Sequence, residues 1–270
     1  MKRMVIVILC VFSMNAYAQN NMRWSLNVGS SFPLGNYANM DYDGTNLTSD
    51  WALFEEDTKC GGASTGINWG IEALIPLQDE RFSITIIGDF HIAHLNATAK
   101  SYLAAVGQGL VNTIVQQTIN AGASQARAEC TRTKEPSYIN LPIMAGVRYT
   151  IPFSNGMSCY ADGGIGYNFK RISPLELKIK SDYVYGGIMY NTTEKLTLSY
   201  STNNSFAFRL GGGLNFRNNI SISAYYYYLG GADVSSHVRM EDSDGGVQTQ
   251  TYHSGTITPM MFVLKIGYTF

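Results

Sequence analysis

The sequence predicts an all-β chain closed into an eight-stranded antiparallel transmembrane β-barrel, with short periplasmic turns and long extracellular loops. Three observations predict it. Eight segments alternate apolar and polar residues with period two, the pattern of half-buried strands. The connections between them alternate short and long, the asymmetry of outer-membrane barrels. One register of every segment lacks Lys, Arg, Asp and Glu. A lipid-facing register demands that, because a charge at the bilayer midplane costs about 2–4 kcal/mol.

Composition points the same way. Charged residues make up 14% of the chain and hydrophobic ones 45%, with 27 Gly and 18 Tyr. Typical soluble domains carry about 25% charged residues. The apolar and aromatic content excludes disorder. The formal charge of −1 leaves no basic footprint for nucleic acid. No run of about 18 apolar residues exists, which excludes a polytopic helical membrane protein.

In chain order, residues 1–18 read as a signal peptide. Lys2 and Arg3 supply the positive start, Met4 to Phe12 the apolar stretch, and Ala16-Tyr17-Ala18 the cleavage site. Residues 19–270 then form one barrel domain. Its strands begin with Trp24, Leu26 and Val28. They continue through Ile67 to Ile75, Phe82 to Ile92, and Ile139 to Tyr149. The second half holds Ala161 to Phe169, Phe206 to Phe216, Ile220 to Tyr228, and Met260 to Phe270. The turns near 76–80, 152–156 and 217–219 are short, and the connections near 34–63, 96–136, 171–203 and 231–254 are long. In the second long connection, Leu103, Val106, Leu110 and Ile114 sit at helical spacing, so about 97–127 is expected to be partly helical.

The inward register carries Glu72, Asp89, His91, Arg148, Asp162, Arg209 and Lys265. An eight-stranded barrel is just wide enough for side chains to fill. Three acids and three bases there are expected to cancel in a lumen-filling polar network. The other reading is a narrow path for ions or small solutes. Asp89 and His91 also place a carboxylate beside an imidazole, but no Ser stands near them in a recognisable nucleophile setting. No catalytic, cofactor-binding or metal-binding set is therefore assigned. Zinc spacing is absent.

Two further features follow. Leu264, Ile266, Tyr268 and Phe270 share one face of the last strand. An aromatic terminus on such a face resembles the signal read by the barrel assembly machinery. Cys60 and Cys130 each precede a strand on the extracellular end, where the compartment is oxidising, so a disulfide between them is expected. Cys159 lies toward the periplasmic turn, out of reach.

The stretch Ser137-Tyr138-Ile139-Asn140-Leu141-Pro142-Ile143-Met144-Ala145-Gly146-Val147-Arg148-Tyr149 leads through a short turn into the Gly-rich Tyr160 to Phe169 strand. It resembles the small outer-membrane barrels of Bacteroidota, the porin-family or PorT-like type. That resemblance implies a fold and a membrane and no shared catalytic residue. The expectation is a monomeric, non-enzymatic outer-membrane barrel in contact with outer-membrane lipid. Its surface loops would bind an unidentified extracellular ligand or secretion partner, or scaffold the envelope. The alternatives are a narrow porin-like channel and an outer-membrane lipid-modifying enzyme.

Overall fold

The computed structural model describes residues 22–40, 61–79, 81–153 and 156–270. The signal peptide at 1–18, and Cys60 of the expected disulfide, lie outside these residues.

Eight strands close into a barrel. They are β1 (Arg23–Pro33), β2 (Gly66–Pro76), β3 (Phe82–His94), β5 (Ser137–Pro152), β6 (Ser158–Ile172), β9 (Ser205–Asn215), β10 (Ile220–Tyr228) and β13 (Met260–Thr269). All are antiparallel to their neighbours, and the last closes on the first with Leu26 opposite Tyr268 and Val28 opposite Ile266. Closure matters physically, because a bilayer tolerates no unpaired strand edge. Trp24 and Phe270 exchange backbone hydrogen bonds of 3.1 and 2.8 Å at the end of this seam.

The alternation read from sequence sets the wall. Leu26, Val28, Trp69, Ile143, Ile165, Phe206, Leu210, Ile222 and Ile266 stand exposed on the outside. Ser25, Asn68, Glu72, Asp89, Asn140, Arg148, Arg209 and Lys265 are buried inside. An exterior of aliphatic and aromatic side chains around a polar interior suits a hydrocarbon solvent, the reverse of a soluble domain.

The long connections differ from the expectation of loops. Three of them supply five more strands: β4 (Gln125–Lys134), β7 (Leu175–Tyr185), β8 (Ile188–Thr202), β11 (Ala232–Glu241) and β12 (Val247–Ile257). These build a second, open sheet in the order β12-β11-β8-β7-β4. Each continues a barrel strand after a gap of two or three residues, so the sheet prolongs the barrel wall beyond the membrane. At about 3.3 Å per residue, β8 alone spans roughly 45–50 Å.

The expected helix exists as α1 (Ala97–Asn120) and stops short of 127, because Gln125 already belongs to β4. Its N-terminus is capped by Asn96, whose Oδ1 accepts from Ala99 N at 2.9 Å. The same side chain donates to Ala38 O at 2.7 Å, tying the helix to the first extracellular segment. Ala99, Tyr102, Leu103 and Leu110 join Leu175, Leu177, Ile179, Leu196 and Leu198 in the buried core of the lobe.

Candidate functional site

Inward residues from six barrel strands meet across the lumen and fall into stacked layers. Toward the periplasm, Arg148 bridges two carboxylates. Its Nη2 lies 2.6 Å from Glu72 Oε1 and 2.5 Å from Asp162 Oδ2. Its guanidinium also lies over the Tyr160 ring at 3.9 Å. Asp162 in turn accepts from Tyr225 OH at 3.0 Å.

At mid-depth, Arg209 reaches three acids: Asp162 at 3.2 Å, Glu72 at 3.4 Å and Asp89 at 3.7 Å. Lys265 Nζ donates to Asp89 Oδ1 at 2.8 Å and to Tyr227 OH at 2.8 Å. Tyr227 OH donates to Asp89 Oδ2 at 2.5 Å. Toward the outside, His91 sits with Asn68 Nδ2 at 3.2 Å from its Nδ1, and its ring meets Tyr227 edge-on at 5.0 Å.

The structure thus brings all seven sequence-predicted lumen residues into one cluster. Three carboxylates face three cations, with the imidazole at the margin. Each ion has several partners, which offsets the cost of taking it from water. The tyrosines Tyr160, Tyr225 and Tyr227 complete the network. Their positions on the inward register were visible in sequence, but aromatic residues there gave no sign that their hydroxyls would bind ions.

Glycines make room for this filling. A Cβ at Gly70 would stand 2.0 Å from Asp89 Oδ1, and one at Gly211 would stand 2.4 Å from the Tyr225 ring. Above the ions a second plug closes the extracellular end. Tyr37 is fully buried and packs edge-on to Tyr138 at 5.3 Å. Asn168 donates to Asn140 Oδ1 at 3.0 Å and to Leu229 O at 3.3 Å, and Tyr138 OH donates to Gly61 O. On the periplasmic side a cavity of about 910 Å³ enters the barrel. Its lining includes Arg148 and excludes Asp89, Arg209, Tyr225, Tyr227 and Lys265.

The chemistry open to these groups is limited. The Asp89 carboxylate is occupied by Lys265 and Tyr227. Among the described residues no hydroxyl or thiol hydrogen-bonds to His91. In the lobe, His237 Nδ1 pairs with Thr251 Oγ1 at 3.0 Å and its Nε2 lies 3.5 Å from Ser201 Oγ, on an exposed sheet face. Among the described residues no group of three His, Cys, Asp or Glu side chains is placed to hold a metal ion. Cys130, expected in a loop, sits on β4 facing Gly107 of α1. Burial there pushes its thiol pKa up, with Arg132 opposing the shift. Leu264, Ile266, Tyr268 and Phe270 all point outward into the lipid-facing belt.

A closed eight-stranded ring with an apolar exterior, an ion-paired interior and a folded lobe at one end defines a transmembrane barrel of the outer-membrane class. No protein-family model matches the chain, and no curated protein matches it. Among solved structures it is similar to Neisserial surface protein A, at 8% identity over 92% of this chain and 97% of that one, with a TM-score of 0.37. It is also similar to a major outer membrane protein from Thermus thermophilus, at 9% identity over 93% and 100%, TM-score 0.44. A third is Ail of Yersinia pestis, at 12% identity over 93% and 99%, TM-score 0.34. At such identity, what those proteins bind says nothing of this one.

Proposed function

We propose that this protein is a non-conducting, non-enzymatic outer-membrane barrel that holds its extracellular lobe at the cell surface to bind a partner or scaffold the envelope. One observation carries the reading: side chains fill the lumen from Tyr37 to Tyr225, while the largest folded element outside the membrane is the lobe. A porin-like path would need a continuous wet lumen, and the periplasmic cavity ends at Arg148. A lipid-modifying enzyme would need a nucleophile beside its base, which His91 lacks.

The rest of the reading follows. Residues 1–18 serve as the export signal. The monomer contacts outer-membrane lipid through its apolar belt, and within the small barrels the Ser137–Tyr149 and Tyr160–Phe169 strands support the Bacteroidota porin-family, PorT-like type. The Leu264, Ile266, Tyr268, Phe270 face meets the assembly machinery. Phe270→Asp is accordingly expected to lower the outer-membrane level of the protein severalfold, measured by fractionation. Normal levels would sink the signal reading.

The central test combines two measurements on full-length protein. Unboiled samples should migrate differently from boiled ones, because a closed barrel resists detergent until heated. The same folded protein in planar bilayers should show no discrete conductance steps. Stable steps would replace the present reading with the channel.

A further inference from the structure

We propose that the lobe carries a binding site for a neutral saccharide ring, in the cleft between the C-terminal half of α1 and the β7–β8 hairpin. The proposal rests on the surface-binding reading above and names the ligand class for it. The cleft measures about 380 Å³. It is lined by Gln117 from the helix and by Ser181, Tyr183, Tyr185, Thr192 and Glu194 from the hairpin.

Two observations point to a ligand. The first is aromatic. Tyr183 and Tyr190 stack with ring centroids 5.4 Å apart and an interplanar angle of 15°. Tyr185 stands beside them, 53% exposed, with the positive-φ Gly122 turn against its ring edge. Rings left open at the rim of a cleft offer flat apolar faces to the C–H face of a pyranose. The second is polar. Ser181 is only 6% exposed, lines the cleft, and its hydroxyl has no hydrogen-bond partner. A buried hydroxyl left unmade costs free energy, so its persistence in a cleft wall calls for a guest that completes it.

The remaining chemistry selects among guests. Glu194 is the only charged group of the lining, and Gln117 and Thr192 are neutral donors and acceptors. A carboxylate accepts from a pair of vicinal hydroxyls, the amide and hydroxyls both give and take, and no cation of the lining is there to recruit an anion. A small set of polar groups beside an apolar wall is how pockets fix the orientation of a compact ligand. An organic ammonium ion would also suit one carboxylate and aromatic faces. It would leave Ser181, Thr192 and Gln117 without matching groups, so the sugar is the better fit.

The test uses full-length protein in detergent micelles and saturation-transfer NMR. The probes are methyl α-glucoside, methyl α-mannoside, methyl α-galactoside and N-acetylglucosamine, with tetramethylammonium as the cationic comparison. Transfer to ring C–H protons of at least one sugar is expected. Tyr185→Ala and Glu194→Gln should each weaken it about tenfold or more. Ser181→Ala should weaken it severalfold while leaving the heat-dependent gel shift intact. A purely packing role for Ser181 would leave sugar binding unchanged in that variant. Silence with all four sugars, or transfer to tetramethylammonium alone, would overturn the proposal. A folded, non-conducting, surface-exposed barrel that ignores every sugar would defeat this inference and leave the surface-binding reading standing. Conductance would defeat that reading instead.

Discussion

Arg209 shows what a single residue does in this molecule. Its guanidinium is 1% exposed and lies within 3.2–3.7 Å of Asp162, Glu72 and Asp89. It also lies 4.4 Å from the Tyr225 ring centre. Removing it leaves three carboxylates to Arg148 and Lys265. Breaking a buried ion cluster by deleting one partner costs about 3–5 kcal/mol. Arg209→Met is therefore expected to lower the temperature at which the folded gel band disappears. Adding Glu72→Gln, which brings the cluster back to two acids against two cations, should recover part of the loss. A double variant as unstable as the single would show that the charges are not coupled. The residues of this cluster were legible in sequence because the inward register repeats every second position, so seven polar side chains on six strands had nowhere else to go. Their pairing was not legible. Which acid meets which base depends on strand stagger around a closed ring, and alternation within one strand says nothing of that.

At the scale of elements, α1 depends on a close approach to β4. A Cβ at Gly107 would lie 3.4 Å from Cys130 Sγ; on the same side of β4 stand Ala126 and Ala128, and Arg132, which donates to Lys100 O of the helix at 3.2 Å. Small residues on both partners let helix and strand meet. The outer carbons of Gly107→Leu must press on Cys130 or fill the cleft of about 590 Å³ that Gly107 lines with Ala128 and Cys130, and a misfit against this packed side costs about 1–3 kcal/mol. The expected outcome is a loosened lobe on an intact barrel. Added protease should cut between 97 and 134 in liposome-held protein, and in the reduced protein Cys130 should alkylate faster than in the parent. The heat-dependent band shift should not change. Loss of that shift would mean that lobe and barrel fold as one unit. The sequence predicted the helix, since its apolar spacing is local. It did not reveal the five lobe strands, although Leu175, Leu177 and Ile179 alternate with Glu176, Lys178 and Lys180. That register is as free of charge as a barrel strand's, but its other face bears ions, and the segment lies inside a long connection of the kind that reads as an extracellular loop. The Gly186-Gly187 pair, both at positive φ, marks the β7–β8 hairpin and was the local signal available.

For the whole molecule, the decisive question is what fills a closed barrel wide enough to hold seven charged or titratable side chains. The answer lies in two rings. Tyr225 and Tyr227 are 2% and 0% exposed, project from the same face of β10, and contact each other edge-on at 6.1 Å. Tyr225 touches Arg148, Asp162 and Tyr160, and Tyr227 touches Asp89, Arg209 and Lys265. Between them they join the periplasmic layer of ions to the middle layer and fill the space that water would take. The backbone beneath them is adapted to that size, since Gly211 opposite Tyr225 leaves no room for even a methyl group. Truncating both rings would remove the bulk and leave most of the charges in place. A lumen of charges without bulk is a hydrated one, and charged lumen residues set selectivity in barrels of this class. The double variant Tyr225→Ala with Tyr227→Ala is thus expected to show conductance steps in planar bilayers that the parent lacks. The single variant Tyr225→Ala should open less, because Tyr227 still blocks the middle layer. The band shift on unboiled gels must persist in the conducting sample, so that a current cannot be ascribed to unfolded protein. A folded double variant that stays silent would place the barrier higher, at Tyr37 and Tyr138, where the extracellular plug closes over the ions.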